Sequence, residues 1–338
     1  MLARFYVILP FTLVVPKGET FSVYEYEEKG YMVRIYPPQI SDTPVQSHGG
    51  DTLEINRKQA IEANALRVDF IKDDFDRTAD TECDPPYEFL EKTINRFLAK
   101  LRFVTRGATI HPVAFPNVSW DIHYLNDDES ELKQQKDKLR RRGARLWEFS
   151  WIAVNNDVWK NLHSLPLEYT PPEWDILLLD ATERLPEIGA SVVLATTALE
   201  VFISDLLEKL AERSTIPSEL WKWINNREWL REPTVEERFD DLLKLLLGTS
   251  LNENQDLWES FKKLKNARNS FVHEGVAKIG KKPIDEKEAR RLVSKAFEIV
   301  RFIKKHLPEE LSWPEFKHNI NVTIKKQIVQ ARKKDESD

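Results

Sequence analysis

Three residues suited to chemistry at a phosphodiester stand within six positions of one another: Arg268, Asn269 and His273, in the phrase ARNSFVHEG. An imidazole, with an unperturbed pKa of about 6.5, takes up or gives away a proton near neutral pH. Toward RNA, that proton would come from a ribose 2′-hydroxyl or go to a departing 5′-oxygen. A guanidinium holds a phosphate through paired N–H bonds and offsets charge that builds in the transition state. Asn269 precedes His273 by one helical turn, where its amide can orient the ring or donate to the phosphate.

An element must position these groups, and the residues around them describe one. In 257–275, LWESFKKLKNARNSFVHEG, Leu257, Phe261 and Leu264 recur at three- and four-residue steps and form an apolar stripe. Lys262, Asn266, Asn269 and His273 form a second, polar face, and Gly275 supplies a helix stop. Arg268 falls in line with Phe261 and Leu264, so its charge borders the core and needs a partner or a solvent cleft. On an unbroken helix, five residues separate two side chains by about 140°. Arg268 and His273 therefore converge through the arginine stem, through a helix that loosens before Gly275, or through a second subunit.

An arginine, a polar residue directly after it and a histidine a few positions on resemble the signature of HEPN domains. Arg106 to His111 and Arg301 to His306 repeat the gap, but neither has the polar neighbour and the glycine-ended amphipathic helix. The resemblance spans roughly residues 172–307. It implies a helical bundle and, as in many members, metal-independent cleavage of RNA by 2′-hydroxyl attack, with no cofactor. It also implies a homodimer in which two copies of the motif meet. A further reading makes the chain the partner-binding half of a toxin–antitoxin or phage-defence pair, with an antitoxin or defence partner and the N-terminal domain as sensor. Glu200 occupies the earlier helix on which such domains often carry a glutamate. It faces the cleft or is an ordinary surface acid. The alternative for the whole domain is a non-catalytic module that binds RNA, a nucleotide or another protein.

The chain has a net charge of −6, so it is not a general nucleic-acid binder. Locally the balance inverts. Residues 261–282 carry Lys262, Lys263, Lys265, Arg268, Lys278, Lys281 and Lys282 against the single acid Glu274, a local charge of +6. Such a patch suits a phosphate backbone, and the six lysines are candidate RNA contacts. The plainer reading is a lysine-rich solvated face.

The 338 residues suffice for about two domains, and a single cysteine, Cys83, rules out an intrachain disulfide framework. Pro10 interrupts the apolar run 5–16, which is too short to span a bilayer and reads as a strand. The expectation is a cytoplasmic protein without a membrane segment. The fold class is α+β: a mixed N-terminal domain with antiparallel strands over 1–163, a proline-rich linker at 164–173, an all-helical bundle over 174–310 and a charged tail over 311–338. Strands are predicted in 1–40, in 63–71, along 109–125 and near 146–154, with 41–60 a polar loop and a helix beginning after Pro86. A Thr234–Glu237 capping box and an Asp285–Glu288 pair mark helix starts in the second half. The acidic run Asp73, Asp74 and Asp76 lacks the glycine and closing glutamate of a calcium loop. His111, His123 and His163 lie on separate predicted elements, so no metal site is expected.

Overall fold

The computed structural model describes residues 1–40, 52–73, 75, 84–126, 129–134, 152–225, 232–318 and 320–325. Asp74, Asp76, Cys83 and residues 146–151 of the strand predicted near 146–154 lie outside these. The chain forms two units, Met1–Thr170 with Phe316–Asp338, and Pro171–Glu315.

In the first unit, strand β1 (Leu2–Pro16) alternates cleanly. Phe5, Val7, Leu9, Phe11 and Leu13 are buried, while the residues between them are partly exposed. It is flanked by β5 (Lys58–Ile71) and β6 (Trp120–Leu125), both antiparallel. Pro10 sits where the β1–β5 register shifts between Ile8 and Leu13, a position that tolerates a residue without an N–H. Strands β2 (Tyr24–Glu28) and β3 (Tyr31–Ile35) form a hairpin through Lys29 and Gly30, at φ 52° and 79°. That is the left-handed pair that matches the strand twist. The sheet continues with β4 (Thr52–Ile55), β7 (Glu131–Gln134), the short parallel β8 (Ile152–Ala153) and the late strand β11 (Val322–Lys325). Helix α1 (Tyr87–Thr105) packs Phe89, Ile94, Phe97 and Leu101 into the same core. Asn155 caps α2 (Asn156–Ser164) through Val158 N–H at 3.0 Å, and α2 buries Trp159.

Three expectations for this unit change. The stretch read as a polar loop over 41–60 contains β4 and the start of β5, joined through Asn56 and Arg57 at φ 50° and 68°. Between 109 and 125 only Trp120–Leu125 is a strand, and Phe115–Asn117 is a 3-10 turn containing Pro116. The tail returns as structure. Val322–Lys325 pairs antiparallel with β4, and Asn56 and Asn321 are joined by two hydrogen bonds of 2.9 Å.

The second unit is a helical bundle of α3 (Glu173–Glu183), α4 (Ile188–Arg213), α5 (Ser218–Asn225), α6 (Val235–Glu237), α7 (Leu243–Leu247), α8 (Gln255–Glu274) and α9 (Glu286–Lys304). Helix α4 is long and apolar enough to cross a membrane, with mean hydropathy 1.7, yet its neighbours in the fold are α3, α7, α8 and α9. Val192, Thr196, Leu199, Ile203, Leu206 and Leu210 form its buried stripe. The Thr234–Glu237 capping box is complete in both directions, and Asp285 accepts from Glu288 N–H at 2.8 Å. Helices α6 and α7 are joined by a π-helical turn, Arg238–Leu242. One feature departs from an all-helical reading: a small hairpin of β9 (Lys278–Ile279) and β10 (Lys282–Pro283), turned by Gly280 at φ 63°.

Candidate functional site

Helix α8 carries the motif. Its first turn is capped by Asn254, whose side-chain oxygen accepts from Leu257 N–H at 3.3 Å. Leu257, Phe261, Leu264 and Ala267 are buried in the bundle core, so the residue after Ala267 emerges at the core's margin. The last turn closes on Gly275 at φ 73°, which donates to the Phe271 carbonyl at 2.8 Å. Phe271 in turn meets the first turn of α4. A Cβ on Gly189 would lie 2.0 Å from the Phe271 ring, so only glycine allows this approach.

Arg268 is half-buried at that margin. One of its terminal nitrogens donates to Asn269 Oδ1 at 3.0 Å, while its Nε is buried with no hydrogen-bond partner among the described residues. An unmet buried donor costs about 1–3 kcal/mol. Asn269 thus serves the arginine. The sequence reading had it orienting the His273 ring or donating to the phosphate, and no bond joins it to that ring among the described residues.

His273 is exposed in the last turn of α8, between the exposed apolar side chains of Val272 (55% accessible) and Val276 (43%). Next to it, Glu274 pairs with Lys278 at 2.6 Å. Lys278, and after it the His273 charge, holds the Glu274 carboxyl below its ordinary range. The helix is regular through Glu274, so it does not loosen before Gly275. Arg268 and His273 stay about 140° apart around the axis and about 7.5 Å apart along it. Within one copy, Asn269 joins Arg268, and His273 stands on a different face.

The lysines are less free than their sequence density implies. Lys262 pairs with Glu259 at 2.5 Å, Lys265 with Glu236, and Lys278 with Glu274. Lys263 is exposed, and its charge is felt by Asp256 and Glu288. Lys281 and Lys282 are exposed on the β9–β10 hairpin. Glu259 and Glu236, both outside residues 261–282, therefore offset part of the local +6.

Glu200 is half-buried on α4, one turn before Ser204. Ser204 Oγ accepts from Arg238 at 2.5 Å, and the Arg238 Nε is buried without a partner, as in Arg268. Arg238 opens the π-helical turn, an irregularity that often accompanies functional positions. Sequence reasoning passed over it, because an arginine one residue past a capping box reads as a surface charge.

Residues 193–315 match the model of the Apea-like HEPN family, which covers all of α8 and most of α4. No curated protein and no solved structure matches the chain. Residues 193–315 are thus the HEPN-family part of the chain.

Proposed function

We propose that this HEPN-family domain is an endoribonuclease that cleaves RNA by attack of a 2′-hydroxyl on the adjacent phosphate, without a metal ion. The observation that carries the reading is the half-buried Arg268, steadied by Asn269 and keeping its Nε unmatched. Arg268 would take the scissile phosphate and offset its transition-state charge. His273 would act as the base that deprotonates the 2′-hydroxyl or as the acid that protonates the leaving 5′-oxygen.

One histidine fills one of those roles at a time, and within one copy it stands on a different face from Arg268. Two copies about a two-fold axis would supply both roles and two phosphate-holding arginines. Exposed Val272 and Val276 beside His273 suit burial in such a contact. Lys281 and Lys282, together with Lys263, are the stronger candidates for backbone contacts. Lys262, Lys265 and Lys278 would have to exchange an acid for a phosphate. We place the protein in the cytoplasm, acting on RNA in phage defence or beside a neutralising partner.

A second reading has its own observation. The separation of Arg268 from His273 on an unbroken helix, with three lysines already paired, fits a module that binds RNA, a nucleotide or a protein without cutting. Incubating purified protein with total RNA in EDTA, wild type beside His273→Ala, separates the two. The nuclease reading expects cleavage by wild type that falls about 10²–10⁴-fold in the variant. Equal activity in the variant, or activity abolished by EDTA, contradicts it.

A further inference from the structure

The chain leaves the first unit at Thr170 and returns to it at Phe316, so Pro171–Glu315 is joined to the rest through two crossings. Both crossings are held at one place, the C-terminal half of α1. On the outgoing side, Lys100 donates to the Pro166 and Leu167 carbonyls at 2.6 and 2.7 Å, and Arg96 stands 3.7 Å from Glu168. On the returning side, His318 Nε2 lies 3.1 Å from the Val104 carbonyl. That carbonyl is one of the last four of α1, which have no partner inside the helix, so the returning chain caps the helix end.

Phe103 joins the two sides. Its ring meets Tyr169 of the outgoing crossing at 5.3 Å and Phe316 of the returning one at 6.2 Å, and it is 4% accessible. Arg96, Lys100 and Phe103 recur at steps of four and three, so one face of α1 carries these contacts. We infer that the end of α1 is a single clasp that releases both crossings together. Lifting either crossing uncovers Phe103 and frees its ring, so the other crossing must then order that ring alone. Contacts that share a partner in this way couple rather than add.

The consequence concerns the segment that carries the motif. Closed, the clasp holds both ends of Pro171–Glu315. Open, the outgoing crossing loses its hold on α1 and the returning one is kept by β11 alone. An event that displaces the end of α1 thus acts on both crossings at once, whether or not the motif cuts RNA.

Glu168 and Glu315 are exposed, one in each crossing, so a glutamate-specific protease reads both. Cleavage of a transiently opened segment tracks the population of its open form. The full chain is digested briefly enough that Glu62 in β5 and Glu298 in α9 stay uncut, which confines the readout to local opening. Each variant is then read at the crossing that it does not touch. Lys100→Met should speed cleavage after Glu315 about tenfold, and Phe316→Ala should speed cleavage after Glu168 by a similar factor. If Lys100→Met does not fold, Phe316→Ala decides alone. Far-side cleavage at the wild-type rate, or far-side cleavage that appears only together with cuts after Glu62 and Glu298, overturns the inference.

Discussion

Two cations, Lys100 buried in the first unit and Arg268 half-buried in the second, are treated in opposite ways. Lys100, on α1, is 1% accessible. Its ammonium is met by the Pro166 and Leu167 carbonyls at 2.6 and 2.7 Å and by the Tyr24 hydroxyl at 3.2 Å. Those contacts fasten the end of the first unit's chain onto α1. Arg268, in the bundle, has one bond to its neighbour Asn269 and leaves Nε unmet. A buried charge with all its bonds made is a fastening, whereas one with a bond withheld is poised for something outside the fold. The contrast separates a residue that holds structure from one that, in the proposed reading, takes a phosphate, although both look like misplaced charges in the sequence.

Removing each side chain should therefore break different things. The largest effect is expected at Arg268→Ala, which should slow RNA cleavage by about 10²–10⁴ while changing stability by less than about 1 kcal/mol. Cleavage assays paired with thermal unfolding check both halves. Lys100→Met should do the reverse. It leaves two carbonyls without their donor and should cost about 2–4 kcal/mol of stability, read by urea unfolding, with cleavage per folded molecule unchanged. Gly189→Ala sharpens the contrast from the bundle side. The added methyl meets the Phe271 ring, one turn beyond Arg268, and overpacking of this kind costs about 1–3 kcal/mol. Denaturant midpoints would detect it, and cleavage should fall with the displaced end of α8.

The smallest effect is a pH dependence. Burial pushes the Lys100 ammonium down to about 8, against the ordinary lysine value. Below about 8 both folded and unfolded chains hold the proton, and folding bears the full cost of burying it. From there toward the unfolded value of about 10.4, the folded chain has released a proton that the unfolded chain still binds, so stability rises with pH. Burial raises Tyr24 and Tyr26 above their ordinary values, which keeps them out of a comparison between pH 7.5 and 9.5. Urea unfolding at those two values should show wild type gaining stability relative to Lys100→Met.

Much of the motif helix was legible because its signals are local. The spacing of Leu257, Phe261 and Leu264 and the glycine at 275 are written within one stretch of about twenty residues, and local rules suffice for them. The capping box at Thr234 and the N-cap at Asp285 were legible for the same reason. What escaped depends on distant partners. Nothing near 52–55 says that it will pair with 322–325, because that register is set by the finished sheet. Nor does the run of lysines disclose that Glu236, from another helix, will take Lys265. The partnerless Nε of Arg268 was out of reach too. Its place in line with the core was readable, but whether a partner would arrive was a matter of packing.

The proposed cleavage uses a 2′-hydroxyl as nucleophile, and one measurement addresses that directly. An RNA oligonucleotide cut at a mapped bond is compared, in EDTA, with the same oligonucleotide carrying a single 2′-deoxy residue on the 5′ side of that bond. Wild-type protein should cut the first to leave a 2′,3′-cyclic phosphate and a 5′-hydroxyl, and should leave the second intact at that bond. Cleavage of both at the same rate, or products ending in a 5′-phosphate, would contradict it.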